Sequence, residues 1–257
     1  MVSGLKLFDL NGKTALITGS SQGIGYALAK GLADAGSDII LNGRNTEKLK
    51  QSAEAINTKQ NIFQLCFDAT NYEQTKRSID KFEKDIKPID ILINNAGIAL
   101  PTSIDNDDFE VYWDKTHNVL LKGQAVLIRE CLPFIEKSNT PRIVNISSTE
   151  GLGASPMHSP YTSAKHGVIG LTRSLAVELG KKGITVNCIC PGPINTAMTE
   201  KIPDKDKEVY SKRRVPLRRY GDPEEVAHAT LNFCLPSSSF ITGAVLAVDG
   251  GLTIKRA

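Results

Sequence analysis

Residues 14–25 read TALITGSSQGIG, a short apolar run followed by a turn with glycines at Gly19, Gly23 and Gly25. The segment after this turn has the composition of a helix, so the stretch predicts a strand, a tight turn and a helix in succession. Glycines at such a junction let the backbone approach a pyrophosphate closely. The helix N-terminus then offers free N–H groups and a positive dipole end to that anion. The stretch therefore predicts a dinucleotide-binding turn.

The same alternation of short apolar runs and helix-like segments continues along the chain. The runs are 14–18, 38–42, 62–67, 89–94, 142–147, 184–190 and 244–248, and the helix-like segments lie near 24–35, 45–57, 71–86, 108–137, 160–181 and 223–235. Repeated β-α-β units predict an α/β fold, a doubly wound parallel sheet of about seven strands with helices on both faces. Residues 195–221 are charged and lack strand character, so we expect an inserted loop or substrate lid there.

Length and composition limit the classes of protein to consider. The chain has 257 residues, and α/β folds of about 250 residues often form one domain, so we expect a single domain over residues 1–257. A net charge of +3 is too small for a general nucleic-acid binder. No apolar run reaches the length of a membrane span, and Met1–Leu10 does not resemble a secretion signal. The five cysteines lack metal-ligand spacing, so we expect a cytoplasmic protein without a metal.

The end of the second apolar run bears on the choice of cofactor. This run ends at Asn42-Gly43-Arg44, 18–19 residues after Gly25, where an acidic residue would hold the ribose 2′-hydroxyl of NAD. The guanidinium of Arg44 could instead grip a 2′-phosphate. The sequence therefore favours NADP, with NAD as the alternative. Arg44 could also be a solvated residue at the end of a strand.

The glycine turn has a second interpretation. Gly19-Ser20-Ser21-Gln22-Gly23 also matches G-x-S-x-G, the nucleophile elbow of serine hydrolases. That chemistry needs a histidine later in the chain, and the four available are His117, His158, His166 and His228. However, a nucleophile elbow normally follows several strands, whereas this turn follows the first. We therefore expect a cofactor turn rather than an elbow.

Further motifs follow the glycine turn in a fixed order. They are Asn94-Asn95-Ala96-Gly97 after the fourth run, Asn118 in the long helix-like segment, Ser148 after the fifth run, Tyr161-x-x-x-Lys165, Pro191-Gly192 with Thr196, and Asp249-Gly250-Gly251. Over nearly its whole length the chain resembles the short-chain dehydrogenase/reductase family, in its subtype of about 250 residues. The resemblance implies a Rossmann-type fold and an NAD(P)-dependent oxidoreductase that interconverts a secondary alcohol and a ketone.

The resemblance implies that Asn118, Ser148, Tyr161 and Lys165 are the catalytic residues. Tyr161 and Lys165 are four residues apart and share one face of a helix. A phenol titrates near 10, and we expect the neighbouring ammonium and a positive nicotinamide to lower that pKa. Tyr161 would then act as general acid or base, while Ser148 hydrogen-bonds the same substrate oxygen. Asn118 would anchor a water that relays protons to Lys165.

The family's cofactor contacts map onto a larger set of residues. They are Gly19, Ser21, Gly23, Ile24, Gly25, Arg44, Asp68, Asn94, Ala96, Gly97, Tyr161, Lys165, Pro191, Gly192, Ile194 and Thr196. Among these, Asp68 would meet the adenine, Asn94 the ribose, and Ile194 the nicotinamide carboxamide. Several of these residues could instead cap strand ends. The family also implies a homotetramer, with the two long helices and the C-terminal strand as contact surfaces.

The substrate is indicated less clearly. The front of the chain resembles gluconate 5-dehydrogenases, which favours a sugar acid such as gluconate or 5-ketogluconate. The middle resembles 3-hydroxybutyrate dehydrogenase, but Glu150 stands where a carboxylate would have to bind and would repel it. Lys181 and Lys182 match docking residues of 3-oxoacyl-acyl-carrier-protein reductases, so that activity is the alternative. Candidate substrate contacts are Glu150, His158 and Met198. A catalytically idle cofactor-binding scaffold is a further possibility, which the full set of four catalytic residues disfavours.

Overall fold

One parallel sheet of seven strands forms the centre of the protein. The computed structural model describes residues 7–85 and 88–256. The strands are β1 (Thr14–Ile17), β2 (Asp38–Gly43), β3 (Ile62–Cys66), β4 (Ile91–Asn94), β5 (Arg142–Ile146), β6 (Thr185–Pro191) and β7 (Val245–Val248). This confirms the predicted sheet, with strand ends that differ from the predicted ones by one or two residues.

The strand order creates a crevice beside β1. The order is β3-β2-β1-β4-β5-β6-β7, so the chain moves outward from β1 to β3 and then crosses back to β4 on the other side of β1. Ile17 of β1 pairs with Leu41 of β2 and with Ile93 of β4. The connections that follow β1 and β4 leave in opposite directions, which opens a crevice at the carboxyl ends of these strands.

Helices cover both faces of the sheet, as the β-α-β pattern predicts. They are α1 (Gly23–Asp34), α2 (Thr46–Ala55), α3 (Tyr72–Asp85), α4 (Phe109–His117), α5 (Gly123–Ile135), α6 (Ser159–Leu179), α7 (Asp204–Arg214) and α8 (Pro223–Cys234). Helices α1, α2 and α8 pack on one face, and α3, α5 and α6 pack on the other. Because β1, β4 and β5 are covered on both sides, every residue in them is buried.

The long helix-like segment 108–137 is interrupted in the structure. Helices α4 and α5 are joined by a π-helical turn over Asn118–Lys122, in which the backbone is wider by one residue per turn. The chain keeps its direction through this turn, so the prediction of one helical element is confirmed in outline. Because of the wider turn, the side chains of α5 are rotated about the helix axis relative to the positions that they would have in one uninterrupted α-helix with α4.

Residues 195–221 contain a helix that the sequence pattern did not predict. Helix α7 is exposed along almost its whole length and buries only Ser211, so it lacks the apolar spacing that identifies a helix in a sequence. Asp204 and Asp206 in its first turn and basic residues in its last turn suit the helix dipole. A bridge between Ile194 and Gly221 closes the base of the segment. Within the described residues, no helix is both long and apolar enough to cross a membrane.

We predict that Ile143→Ala lowers the free energy of unfolding by about 2–5 kcal/mol, because it empties a site in the core between β5 and the helices α3, α5 and α6. Ile143 is fully buried. The control Ile104→Ala removes the same atoms from a side chain that is 75% exposed and should change stability by less than about 0.5 kcal/mol. Chemical denaturation monitored by circular dichroism measures both. Equal effects of the two variants would contradict this account of the core.

Candidate active site

A crevice of about 890 Å³ opens at the carboxyl ends of the strands around β1 and β4. Eighteen of the predicted residues line it: Gly19, Ser21, Gly23, Ile24, Gly25, Arg44, Asp68, Ala96, Gly97, Asn118, Ser148, Tyr161, Lys165, Pro191, Gly192, Ile194, Thr196 and Met198. Its volume lies within the range of natural cofactor and ligand pockets.

The glycine turn forms the floor of this crevice. Gly19 has a φ of +62°, and a Cβ there would lie 2.9 Å from the Cα of Ala96. A Cβ on Gly25 would lie 2.2 Å from the Gly19 carbonyl oxygen. No side chain caps the N-terminus of α1 at Gln22, and its first turn holds no acidic residue. The turn therefore fits a pyrophosphate, which the N-terminal N–H groups of α1 would bind.

Thr18 and Asn95 hold the two sides of the crevice together. The Thr18 hydroxyl accepts hydrogen bonds from the backbone N–H groups of Asn95 and Ala96, each at 3.0 Å. The Asn95 amide donates to the carbonyl oxygens of Thr18 at 2.9 Å and Gly19 at 3.2 Å. The sequence analysis did not assign a role to Asn95. Successive side chains at the end of a strand point to opposite faces, so Asn94 and Asn95 cannot both face the crevice. This alternation is the signal that could have identified Asn95 as a crevice residue.

Asn94 is not among the residues that line the crevice, so its predicted contact with the cofactor stays a prediction. Asn94 is the last residue of β4, and its buried side chain points to the opposite face from Ile93, toward β5 and α6. Its amide donates to the Asn145 side chain at 2.9 Å, and Asn145 donates to the Thr172 hydroxyl at 3.0 Å. Asn94 therefore links β4 to β5 behind the crevice, while Asn95 faces it.

Arg44 and Asp68 lie at the far end of the crevice from Tyr161. The Arg44 guanidinium is exposed and lies 3.8 Å from the Asp68 carboxylate. Asp68 also accepts hydrogen bonds from the Thr70 backbone and hydroxyl, both at 2.8 Å. Lys122 lies over the Tyr72 ring, 5.0 Å from its centroid, at the same end. This region offers exposed positive charge where a 2′-phosphate would sit.

Tyr161, Ser148 and Lys165 come together at the other end. The Ser148 hydroxyl lies close enough to the Tyr161 phenol to lower its pKa, and the Lys165 amine lies 5.6 Å from the centre of the Tyr161 ring. The amine is buried and donates to the Ile146 carbonyl oxygen at 2.9 Å. The neighbouring Ser147 hydroxyl donates to the Lys165 carbonyl oxygen, also at 2.9 Å, so Ser148 is left to face the phenol. The structure therefore brings the three predicted residues together at one end of the crevice.

The expected low pKa of Tyr161 is not observed in the protein alone. Burial raises the pKa of the Tyr161 phenol, the Ser148 hydrogen bond lowers it less, and the Glu150 charge raises it further. Burial also lowers the pKa of Lys165 to about 8, because the buried amine lacks an acidic partner among the described residues. The prediction considered the attraction between the two groups and left out the cost of removing both from water. Tyr161 is therefore a proton donor at neutral pH.

Asn118 lines the same crevice as Lys165. Its side chain is exposed, and among the described residues no direct hydrogen bond joins it to the lysine. His117, one residue earlier, faces α6 through a 3.2 Å contact between its Nε2 and the Ser163 hydroxyl. Asn118 begins the π-helical turn and lines the same crevice as Lys165. The water relay through Asn118 stays a prediction.

Glu150 and His158 lie outside the crevice lining, in contrast to Met198. The Glu150 carboxylate accepts hydrogen bonds from Ser155 and Thr162 and does not face the crevice. His158 is bonded to the Pro156 carbonyl oxygen, and its ring meets the Tyr161 ring edge-on at 6.2 Å. The prediction that Glu150 and His158 contact substrate is therefore not supported.

The hydrolase alternative is not supported either. Ser21 lines the crevice, but none of the four described histidines does. A serine nucleophile at this turn would need a histidine within hydrogen-bonding distance.

The two cysteines of β6, Cys188 and Cys190, are fully buried against α6, as predicted for interior thiols.

A family model described as enoyl-(acyl carrier protein) reductase, adh_short_C2, matches residues 19–253. The 3-oxoacyl-acyl-carrier-protein reductase FabG of Rickettsia bellii is 39% identical over 249 residues, which cover 96% of this chain and 99% of that protein. The gluconate 5-dehydrogenase of Gluconobacter oxydans is 37% identical, with 97% of this chain and 98% of that protein covered.

Solved structures agree with this relationship. A gluconate 5-dehydrogenase from Burkholderia cenocepacia, crystallised in complex with NADP and tartrate, is similar with a TM-score of 0.91 and 33% identity. The match covers 99% of this chain and all of the other. The glycines of the turn and the residues Ser148, Tyr161 and Lys165 lie within the region 19–253 that the family model matches. The chain therefore belongs to the short-chain dehydrogenase/reductase family of oxidoreductases.

Proposed function

We propose that the protein interconverts a secondary alcohol and a ketone, with Tyr161 as the group that exchanges a proton with the substrate oxygen. The observation that carries this proposal is that Ser148, Tyr161 and Lys165 line one crevice together with the glycine turn, with the Lys165 amine 5.6 Å from the centre of the Tyr161 ring. In the direction of reduction, Tyr161 donates its proton to the carbonyl oxygen as negative charge develops there. Ser148 hydrogen-bonds the same oxygen. The nicotinamide cofactor supplies or accepts the hydride.

Lys165 has two roles in this proposal. Its amine, held by the Ile146 carbonyl, lies close enough to the Tyr161 ring to stabilise a phenolate after the proton leaves. It can also hydrogen-bond the ribose next to the nicotinamide, since Lys165 lines the crevice. Because the pKa of Lys165 is lowered to about 8, its positive charge is lost as the pH rises through that value.

We propose NADP(H) as the cofactor. Gly43 ends β2 without a carboxylate, and the exposed guanidinium of Arg44 follows directly. A guanidinium binds a phosphate through two parallel hydrogen bonds, whereas an acidic residue would be needed for the ribose hydroxyl of NAD. The related gluconate 5-dehydrogenase that was crystallised with NADP supports the same choice.

For the substrate we propose a sugar acid of the gluconate and 5-ketogluconate class, and a 3-oxoacyl thioester of acyl carrier protein as the second candidate. Relatives that carry the name gluconate 5-dehydrogenase support the first. The exposed apolar side chain of Met198, which lines the crevice, favours the second, because an acyl chain needs apolar contacts. Lys182 is paired with Glu136 at 2.6 Å, which weakens its predicted role in docking a carrier protein.

We predict that Tyr161→Phe lowers kcat by at least about 100-fold while NADPH binds with unchanged affinity, since the change removes only the hydroxyl that moves the proton. Turnover would be followed by NADPH absorbance over a panel of ketones, sugar acids and acyl thioesters, and binding by fluorescence. The panel also identifies the substrate class. A parent protein that turns over none of them and binds NADPH would favour an idle scaffold. Near-native turnover by Tyr161→Phe would contradict the assigned role.

We predict that Arg44→Asp lowers the ratio of kcat/KM with NADP to that with NAD by about 100-fold, because a carboxylate repels the 2′-phosphate and can accept a hydrogen bond from a ribose hydroxyl. Lys50→Asp, on the exposed face of α2 and outside the crevice lining, makes the same charge change and should leave the ratio unaltered. An unchanged ratio in Arg44→Asp would remove Arg44 from the cofactor site.

We also propose that the protein is a homotetramer and that each chain forms a single domain. Its five free thiols are consistent with a reducing compartment such as the cytoplasm. Strand β7 is at the edge of the sheet, and Phe240, Ile254 and Val177 are large apolar side chains exposed around it. An exposed edge with apolar neighbours is normally covered. Sedimentation velocity should show a tetramer, and Phe240→Asp should shift it to smaller species. A parent protein that sediments only as a monomer would contradict the proposal.

A further inference from the structure

The carboxylate of Glu150 fastens together the two chain segments that carry Ser148 and Tyr161. One oxygen accepts hydrogen bonds from the Ser155 N–H at 3.0 Å and from the Thr162 hydroxyl at 2.6 Å. The other oxygen accepts from the Ser155 hydroxyl at 2.5 Å. Three donors on one carboxylate form a fixed connection between the turn after β5 and the first turn of α6.

Both ends of this connection lie next to the reacting groups. The Glu150 backbone N–H donates to the Ser148 hydroxyl oxygen at 3.1 Å, and Thr162 directly follows Tyr161. The same side chain therefore ties the Ser148 turn to the helix turn that bears the phenol. A displacement of either turn would change the Ser148–Tyr161 contact.

The rest of the loop between these residues has few contacts of its own. Residues 152–157 are exposed, and Met157 has a φ of +61°, a conformation that side chains other than glycine rarely adopt. One backbone bond, from the Thr102 N–H to the Met157 carbonyl oxygen at 2.8 Å, ties this loop to the loop after β4. The strained residue needs such surrounding bonds to persist, and those of Glu150 are the most numerous.

The Glu150 carboxylate is ionised and close enough to act on the phenol. Burial alone would raise its pKa, but the hydrogen bonds from Ser155 and Thr162 lower the pKa below its usual range. Its negative charge adds to the burial that raises the pKa of Tyr161. The other charged or titratable groups around the phenol are Lys165 on α6, His158 at the start of α6, and Tyr210 of α7, which is affected by the same Glu150 charge.

We propose that Glu150 is a positioning residue for the proton transfer: its carboxylate fastens the turn that carries Ser148 to the helix that carries Tyr161. This inference rests on the proposed function of Tyr161. Because the carboxylate is also negative, it keeps the phenol protonated to higher pH. That favours proton donation in carbonyl reduction and delays alcohol oxidation until the pH is higher.

The test uses Glu150→Gln, which removes the charge and turns one acceptor into a donor. We expect kcat to fall about tenfold through loss of alignment, with NADPH affinity unchanged. The pH at which oxidation reaches half its maximal rate should move down by about half a unit or more, since removing a negative neighbour lowers the phenol pKa. Thr162→Val removes one hydrogen bond and keeps the charge, so it should lower kcat without moving that pH.

Two further measurements do not depend on turnover. Hydrogen exchange of the 152–158 amides should become at least about tenfold faster in Glu150→Gln, because the Ser155 N–H loses its acceptor. Ultraviolet titration of the tyrosines, with the Tyr161→Phe difference used to isolate Tyr161, should show its midpoint at lower pH. The control Glu54→Gln removes a carboxylate from an exposed position on α2 and should change neither measurement.

The outcomes separate this inference from the proposed function. If Tyr161→Phe abolishes turnover while Glu150→Gln has parental kcat, exchange and titration, the role of Glu150 is refuted and the proposed function stands. If Tyr161→Phe keeps its turnover, the proposed function fails, whatever Glu150→Gln does. If Glu150→Gln does not fold, Thr162→Val decides: parental kcat and loop exchange in that variant would overturn the positioning role.

Discussion

The burial of the Lys165 amine is the constraint on which the rest of the site depends. An amine removed from water needs a fixed acceptor, and the Ile146 carbonyl at the end of β5 provides it. The Ser147 hydroxyl bonds back to the Lys165 carbonyl, so α6 is held against the end of β5 by two bonds that run in opposite directions. This attachment places Tyr161 above the strand that leads into Ser148. The same burial sets the proton affinities, since it favours the neutral form of the amine and of the phenol.

The sheet could be predicted because strands covered on both faces are apolar throughout, and such runs are visible in a sequence. Helix α7 could not be predicted, because its contacts involve little more than Ser211 and its charged residues have no apolar period. The π-helical turn at Asn118–Lys122 was also invisible, since no residue type marks it. This turn begins at Asn118, which lines the crevice together with Ser148, Tyr161 and Lys165.

Within the site, the positions that are clearest in the sequence are those where the backbone geometry allows only one residue type. Gly19 and Gly25 are required by close contacts that no other residue allows, so their pattern identifies the turn. The direction of a side chain is harder to predict from the sequence. Asn94 and Asn95 are adjacent and polar, yet Asn94 faces the interior and Asn95 faces the crevice. The pKa of Tyr161 depends on burial and on Glu150, and neither effect can be read from a four-residue spacing. The substrate depends on exposed loops, where the chain is least constrained by packing.

The bridge between Ile194 and Gly221 has a consequence for how substrate preference could change. The segment between these residues leaves and rejoins the sheet framework at neighbouring points, where Asn195 N–H bonds to the Gly221 carbonyl at 2.9 Å and Gly221 N–H bonds to the Pro193 carbonyl at 2.9 Å. Because both junctions are fixed by the backbone, the intervening residues could be exchanged for those of a relative without disturbing the strands. A chimaera built at these two junctions would keep Ser148, Tyr161 and Lys165 and replace the part of the crevice wall that Thr196 and Met198 form.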